Sequence, residues 1–163
     1  MTAELPPWLK HTTVWLVLAV ALFLGVQAWQ AREQATRFVV DGGTLQIRRG
    51  ADGHYHWPGT VGGRKVDFLV DTGATGTAIP TALAQELGLA SVGSIQSNTA
   101  GGVVNGTVVV AELVLDGGVR VERLHIAALP RLASPLLGMD VLGRLRLQQS
   151  DGVLRIELQG NGR

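Results

Sequence analysis

The sequence predicts an all-β fold class: a closed β-barrel over residues 38–163 with a short C-terminal helix, preceded by one N-terminal transmembrane helix. Three observations carry this. From Phe38 onward, short stretches rich in Val, Ile, Leu and Thr alternate with glycine-bearing turn signals. The chain holds 22 glycines and only 5% aromatic residues, which suits a small β-domain with many tight turns. The N-terminal segment differs in kind: Thr12–Trp29 carries no charge, and only Thr12, Thr13 and Gln27 are polar within it.

Length and composition set the outer limits. At 163 residues there is room for one domain with a real core, or for one domain plus an appendage. A formal net charge of +1, with 17% charged residues, leaves no broad electrostatic footprint for nucleic acid. The absence of cysteine excludes a disulfide framework, thiolate zinc sites and cysteine catalysis. It does not choose a compartment.

The N-terminal segment reads as a short tail over 1–11, a membrane anchor over 12–29 and a polar juxtamembrane linker over 30–37. As a helix, Thr12–Trp29 would be roughly 27 Å long, near the thickness of a bilayer's hydrocarbon core. Trp15 and Trp29 lie near its ends, where interfacial aromatics are favoured. A cleaved signal peptide is the competing reading, with Lys10 in its basic region and Val26-Gln27-Ala28 at its cleavage site. The length of the apolar run favours the anchor. Orientation is barely marked, because Lys10 precedes the run and Arg32 and Arg37 follow it.

The barrel's candidate strands follow in order: Phe38–Val40, Thr44–Arg48, His54–Val61, Arg64–Val70, Thr107–Leu115, Val119–Ala127, Leu145–Gln149 and Val153–Leu158. Asp41-Gly42-Gly43, Asp52-Gly53, Gly62-Gly63, Asp116-Gly117-Gly118 and Ser150-Asp151-Gly152 separate them as turns. Two segments read as helices. Pro80–Leu87 has proline at its start and Gly88 just past its end. Leu136–Leu145 places Leu136, Leu137, Val141, Leu142 and Leu145 on one helical face. Ser97–Gly106 is polar and glycine-rich, and is expected to be a mobile loop or hairpin tip.

Asp41, Asp52, Asp116 and Asp151 each precede glycine between strand candidates, and a turn-forming role suffices for them. Asp71 is different. It closes the apolar stretch Val66–Val70 and is followed by Thr72-Gly73-Ala74-Thr75, the one Asp-Thr-Gly in the chain.

Phe68-Leu69-Val70-Asp71-Thr72-Gly73-Ala74 resembles the active-site motif of retropepsin-like aspartic proteases. Leu136-Leu137-Gly138-Met139-Asp140-Val141-Leu142 resembles the hydrophobic-hydrophobic-glycine segment that opens that family's C-terminal helix. The similarity spans roughly Phe38–Arg163 and is greatest to bacterial, membrane-anchored members. It implies a retropepsin-like barrel, a single-pass inner-membrane protein with its protease domain in the periplasm, and no cofactor or metal. It also implies a homodimer acting on a peptide or protein in extended conformation. One carboxylate cannot both activate a water and protonate a leaving group, so a single Asp-Thr-Gly demands two chains.

By this resemblance, Asp71 is the catalytic residue and would face its symmetry mate. Two carboxylates that close share one proton, since both cannot ionise together. The ionised one activates a water, and the protonated one polarises the scissile carbonyl. Thr72 would brace the two loops across the interface, and Gly73 would let the backbone turn tightly. Ala74, Thr75 and Gly76 would line the groove. Thr99, Ala100, Gly101, Gly102 and Val103 would form the flap tip that closes over substrate through main-chain hydrogen bonds. Asp140 occupies a position that varies within the family; it is not a second catalytic aspartate and is read as structural, satisfying donors near the helix start.

Other readings are weaker. His54 and His56 alternate as metal ligands on a strand do, but no third ligand is evident. There is no Gly-x-Ser-x-Gly elbow. Asp71-Thr72-Gly73-Ala74-Thr75-Gly76-Thr77 also resembles the phosphate loop of actin-like ATPases, whose two lobes do not fit in so short a domain. A protease-like fold that binds peptides without cleaving them is the main alternative.

Overall fold

The computed structural model describes residues 7–35, 38–41, 43–99 and 102–158, with side chains placed for 12–27, 43–98 and 102–158. The chain divides into two units, Met1–Arg37 and Phe38–Arg163.

Among the described residues the first unit is one helix, α1 (Pro7–Ala35), which continues into the stretch expected as a linker. Among the described residues, no helix is long and apolar enough to cross a membrane. This overturns the expected transmembrane helix over 12–29, and with it the single-pass membrane and periplasmic placement and the membrane as a partner.

The second unit runs β1 (Phe38–Asp41), β2 (Thr44–Arg48), β3 (His56–Val61), β4 (Arg64–Val70), β5 (Ala78–Pro80), α2 (Thr81–Glu86), β6 (Ser91–Thr99), β7 (Gly102–Leu115), β8 (Val119–Leu129), β9 (Leu136–Leu137), α3 (Met139–Leu142), β10 (Arg146–Ser150) and β11 (Val153–Glu157). One sheet has the order β3-β4-β9-β5-β8-β7-β6, and β7 also pairs with β3. That extra pairing closes the sheet into a barrel, with β6 extending from β7 as the outer strand of a hairpin. A second sheet has the order β1-β2-β11-β10.

Turn chemistry sets the hairpins. Gly62 and Gly63 both have positive φ (54° and 82°), the backbone of a tight two-residue link between β3 and β4. Asp151 and Gly152 repeat this between β10 and β11 (51° and 72°). Burial alternates along β3 and β7, as a half-buried strand requires. Trp57, Phe68, Ile79, Leu113, Leu137 and Leu142 thereby form the centre of the core. The Trp57 indole N–H donates to the Asp116 carbonyl at 2.8 Å, so its one polar atom is satisfied. Barrel closure needs a glycine: a Cβ on Gly59 would lie 2.5 Å from the Val114 carbonyl oxygen on β7.

Of the two readings of 97–106, the hairpin holds: β6 pairs with β7, with Asn98 opposite Val103 and Thr99 opposite Gly102. Two expectations change. The helix expected over Leu136–Leu145 shrinks to α3, because Leu136 and Leu137 pair in parallel with Leu69 and Val70. A two-residue strand has no room for a period, so helical spacing was all the sequence offered there. Finally, β3 starts at His56, since Asp52 ties back the preceding turn through the His54 N–H at 3.2 Å.

Candidate active site

Asp71 follows the last residue of β4. Three hydrogen bonds hold that strand end: Leu69 N–H to the Pro135 carbonyl (2.9 Å), Val70 N–H to that of Tyr55 (2.9 Å), and Asp71 N–H to that of Leu137 (3.0 Å). The chain then turns. Gly73 N–H donates to Asp71 Oδ1 at 2.9 Å, and Ala74 N–H to the Asp71 carbonyl at 3.2 Å. A Cβ on Gly73 would sit 3.2 Å from Asp71 Oδ1, so glycine keeps the carboxylate uncrowded. Asp71 is half-buried, and Thr72, Gly73, Thr75 and Gly76 are exposed around it.

The following loop is seated on α3. Met139 N–H donates to the Ala74 carbonyl (2.9 Å), and Asp140 N–H to that of Thr75 (3.2 Å). Asp140 Oδ2 accepts from Thr77 N–H (3.0 Å), and Asp140 Oδ1 from the Thr77 hydroxyl (2.8 Å). Asp140 Oδ1 also accepts from Val141 N–H at 2.9 Å, which is the helix-start role expected of it. Thr77 was not singled out by sequence reasoning, and a lone threonine after a glycine carries no signal of its bond partner.

Of the expected flap residues, Thr99 closes β6, and Gly102 and Val103 open β7. Gly102 has φ 102°, and Val103 is exposed. Ala100 and Gly101 lie outside the described residues. The hairpin and the Asp71 turn thus come from different strands of one barrel. A surface hollow of about 220 Å³ lies elsewhere, between the β7–β8 turn and α3, and none of residues 71–77 lines it.

A sequence-family profile described as "gag-polyprotein putative aspartyl protease" matches residues 57–144, more than half of the chain. The chain belongs to the retropepsin-like aspartic protease family. Its barrel is similar to a retropepsin-like aspartic protease from Rickettsia conorii, with 24% identity and TM-score 0.56 over 70% of this chain and 90% of that one. It is also similar to EIAV protease complexed with the inhibitor HBY-793, with 16% identity and TM-score 0.52 over 60% and 93% of the two chains. At these identities the likeness concerns the fold: an all-β retropepsin-like barrel with short helices. No curated protein matches the chain.

This retropepsin-like chain places its histidines away from such chemistry. The His56 ring lies between two carboxylates, with Nε2 2.7 Å from Asp52 and Nδ1 3.3 Å from Asp67. Among the described residues, no His, Cys, Asp or Glu cluster could hold a metal ion. The hydrogen bond from His56, followed by that from the His54 N–H, lowers the Asp52 pKa below its ordinary 3.8. A depressed carboxylate stabilises the fold above its unfolded value, and that share is lost as pH falls through the folded one. Asp52→Asn should therefore flatten the fall of Tm as pH drops below the ordinary carboxylate range, measured by thermal unfolding. The pair is exposed, so the difference should be small.

Proposed function

We propose that the chain is an aspartic endopeptidase, with residues 38–163 as its catalytic unit, working as a homodimer in which two Asp71 carboxylates share the chemistry. The observation that carries this is the single Asp-Thr-Gly turn, which presents one half-buried carboxylate at the end of β4 amid exposed residues. A second copy supplies the second carboxylate. One Asp71, ionised, takes a proton from water as the water oxygen attacks the scissile carbonyl carbon. The other, protonated, donates to the carbonyl oxygen. The tetrahedral intermediate then collapses, the C–N bond breaks, and a proton passes to the leaving nitrogen. No covalent enzyme intermediate forms.

Thr72 supports the pairing in this reading. Its side chain is exposed and makes no hydrogen bond among the described residues, so its hydroxyl is free to bond across the two-fold axis. Gly73 holds the carboxylate, and Ala74, Thr75 and Gly76 line the groove. The β6–β7 hairpin, with Thr99, Ala100, Gly101, Gly102 and Val103 at its tip, covers an extended peptide and bonds its main chain.

The test is the concentration dependence of cleavage. The full-length chain, incubated with an unfolded polypeptide and followed by mass spectrometry, should show specific activity that rises with protein concentration to a plateau. Sedimentation should place dimer formation in the same range. Specific activity independent of concentration in a monomeric sample would refute the shared site. No cleavage by a folded dimer would leave a peptide-binding module.

A further inference from the structure

Thr77 is buried to 1% exposure, and it is the one buried polar residue among those described. A buried hydroxyl and amide cost free energy unless bonded, and here all three capacities are met. Thr77 N–H reaches Asp140 Oδ2 and its hydroxyl reaches Asp140 Oδ1, while the same hydroxyl oxygen accepts from Gly138 N–H at 3.3 Å. Its carbonyl accepts from Ala127 N–H at 3.0 Å on β8. Asp140 meets the loop in return, donating its own N–H to the Thr75 carbonyl.

The donor set selects a carboxylate. Thr77 N–H and Val141 N–H are fixed donors, one to each oxygen of Asp140, so both oxygens must be acceptors and the Thr77 hydroxyl donates to Oδ1. Three hydrogens therefore converge on two oxygens, which a carboxylate alone accepts without presenting a hydrogen of its own. Asparagine would turn an NH₂ group towards one of them. These charge-assisted bonds run between segments 63 positions apart, and they end the loop that begins at Asp71.

We propose that Asp140, acting through Thr77, is a positioning residue that sets where the Asp71 turn stands relative to the barrel. This rests on the reading of Asp71 as catalytic. Asp140 itself bonds only protein donors. With its carboxylate in place, the turn is anchored at both ends: Asp71 N–H on β9 and Thr77 on α3. Without it, the Thr77 end keeps its carbonyl bond to Ala127 and the main-chain bonds from α3 to Ala74 and Thr75, but it loses its side-chain anchor, and Asp71 is held less closely in register against a second copy. Small displacements of a reacting group have large kinetic consequences.

The experiment compares full-length wild type, Asp140→Asn, Thr77→Val and Thr77→Ser, with two readouts. Amide hydrogen exchange over 71–77, set against the β3–β4 hairpin as an internal folding control, should speed up about tenfold in Asp140→Asn and Thr77→Val. In peptide cleavage, both variants should lose about a hundredfold in kcat with KM within about threefold. Thr77→Ser, which keeps the hydroxyl, should restore exchange and kcat. The double variant Asp140→Asn with Thr77→Val should be no worse than either single one. Unchanged exchange over 71–77, or loss in KM rather than kcat, would overturn the proposal. So would a Thr77→Ser as impaired as Thr77→Val. If wild type cleaves nothing, the catalytic reading fails, and the exchange data alone still show whether Asp140 holds the turn.

Discussion

Asp71→Asn is expected to lower peptide cleavage at least about a thousandfold while leaving the Tm close to that of wild type. The asparagine side chain has the shape of the carboxylate and keeps an oxygen to accept from Gly73 N–H, now at 2.9 Å. The turn is therefore retained. What is lost is the only group that the proposed chemistry uses to move protons, and in a dimer it is lost twice. Neither amide can take a proton from water at any accessible pH, so no change of pH should restore the rate. The stability change should be within about 0.5 kcal/mol, since the side chain is only half-buried and its recorded bond survives. Thermal unfolding and mass spectrometry of the products read the two halves of the prediction. Equal cleavage by variant and wild type would place the activity elsewhere.

Gly138→Ala is expected to be the most damaging small substitution in the barrel. Gly138 has φ −98° and ψ −178°, extended backbone that any residue adopts, so conformational freedom is not the reason for glycine here. Space is the reason. A Cβ at this position would lie 2.4 Å from the carbonyl carbon of Gly76 and 2.5 Å from its oxygen. Both are main-chain atoms and cannot rotate away as a side chain would. The methyl must push β9 or the 74–77 loop, and the bonds between α3 and that loop oppose either movement. Overpacking of this kind costs about 3 kcal/mol, or roughly 10 °C in Tm for a domain of this size. Activity should fall further than stability accounts for, because the displaced loop carries the site. Gly93→Ala is the control: nothing lies within 4 Å of its added Cβ and its φ is not positive. That variant should stay within about 0.5 kcal/mol of wild type. A Gly138→Ala that matched it would show that the loop yields freely.

What could be read without coordinates was carried by contiguous residues. The paired positive-φ residues of the β3–β4 and β10–β11 links were legible as turns because glycine and aspartate relieve a local steric restriction. β2 and β4 have the bounds that their apolar runs and flanking turns mark. Asp71 stood out because it closes an apolar strand before Thr-Gly, and it directly follows β4. The short β5 and the parallel strand β9 were not legible, since each is defined by its neighbours: Ala78 lies opposite Ala127 and Leu136, and Val70 opposite Leu137. The outer strand β6 was missed for a related reason. Its residues are largely polar, those from Ser91 to Asn98 are mostly exposed, and it takes its strand geometry from pairing along β7.

The N-terminal segment shows the opposite failure. Composition alone marked 12–29 as a membrane anchor, and no described helix is long and apolar enough for that. By itself, then, the sequence determined the barrel's turns, the strand that presents Asp71, and the family to which the chain belongs, because those signals travel along the backbone through neighbouring φ and ψ. Only the tertiary structure decided that Gly138 must be glycine and that Asp140 belongs to Thr77. Those facts depend on atoms brought together through space by barrel closure, and no local pattern encodes a contact across some sixty positions.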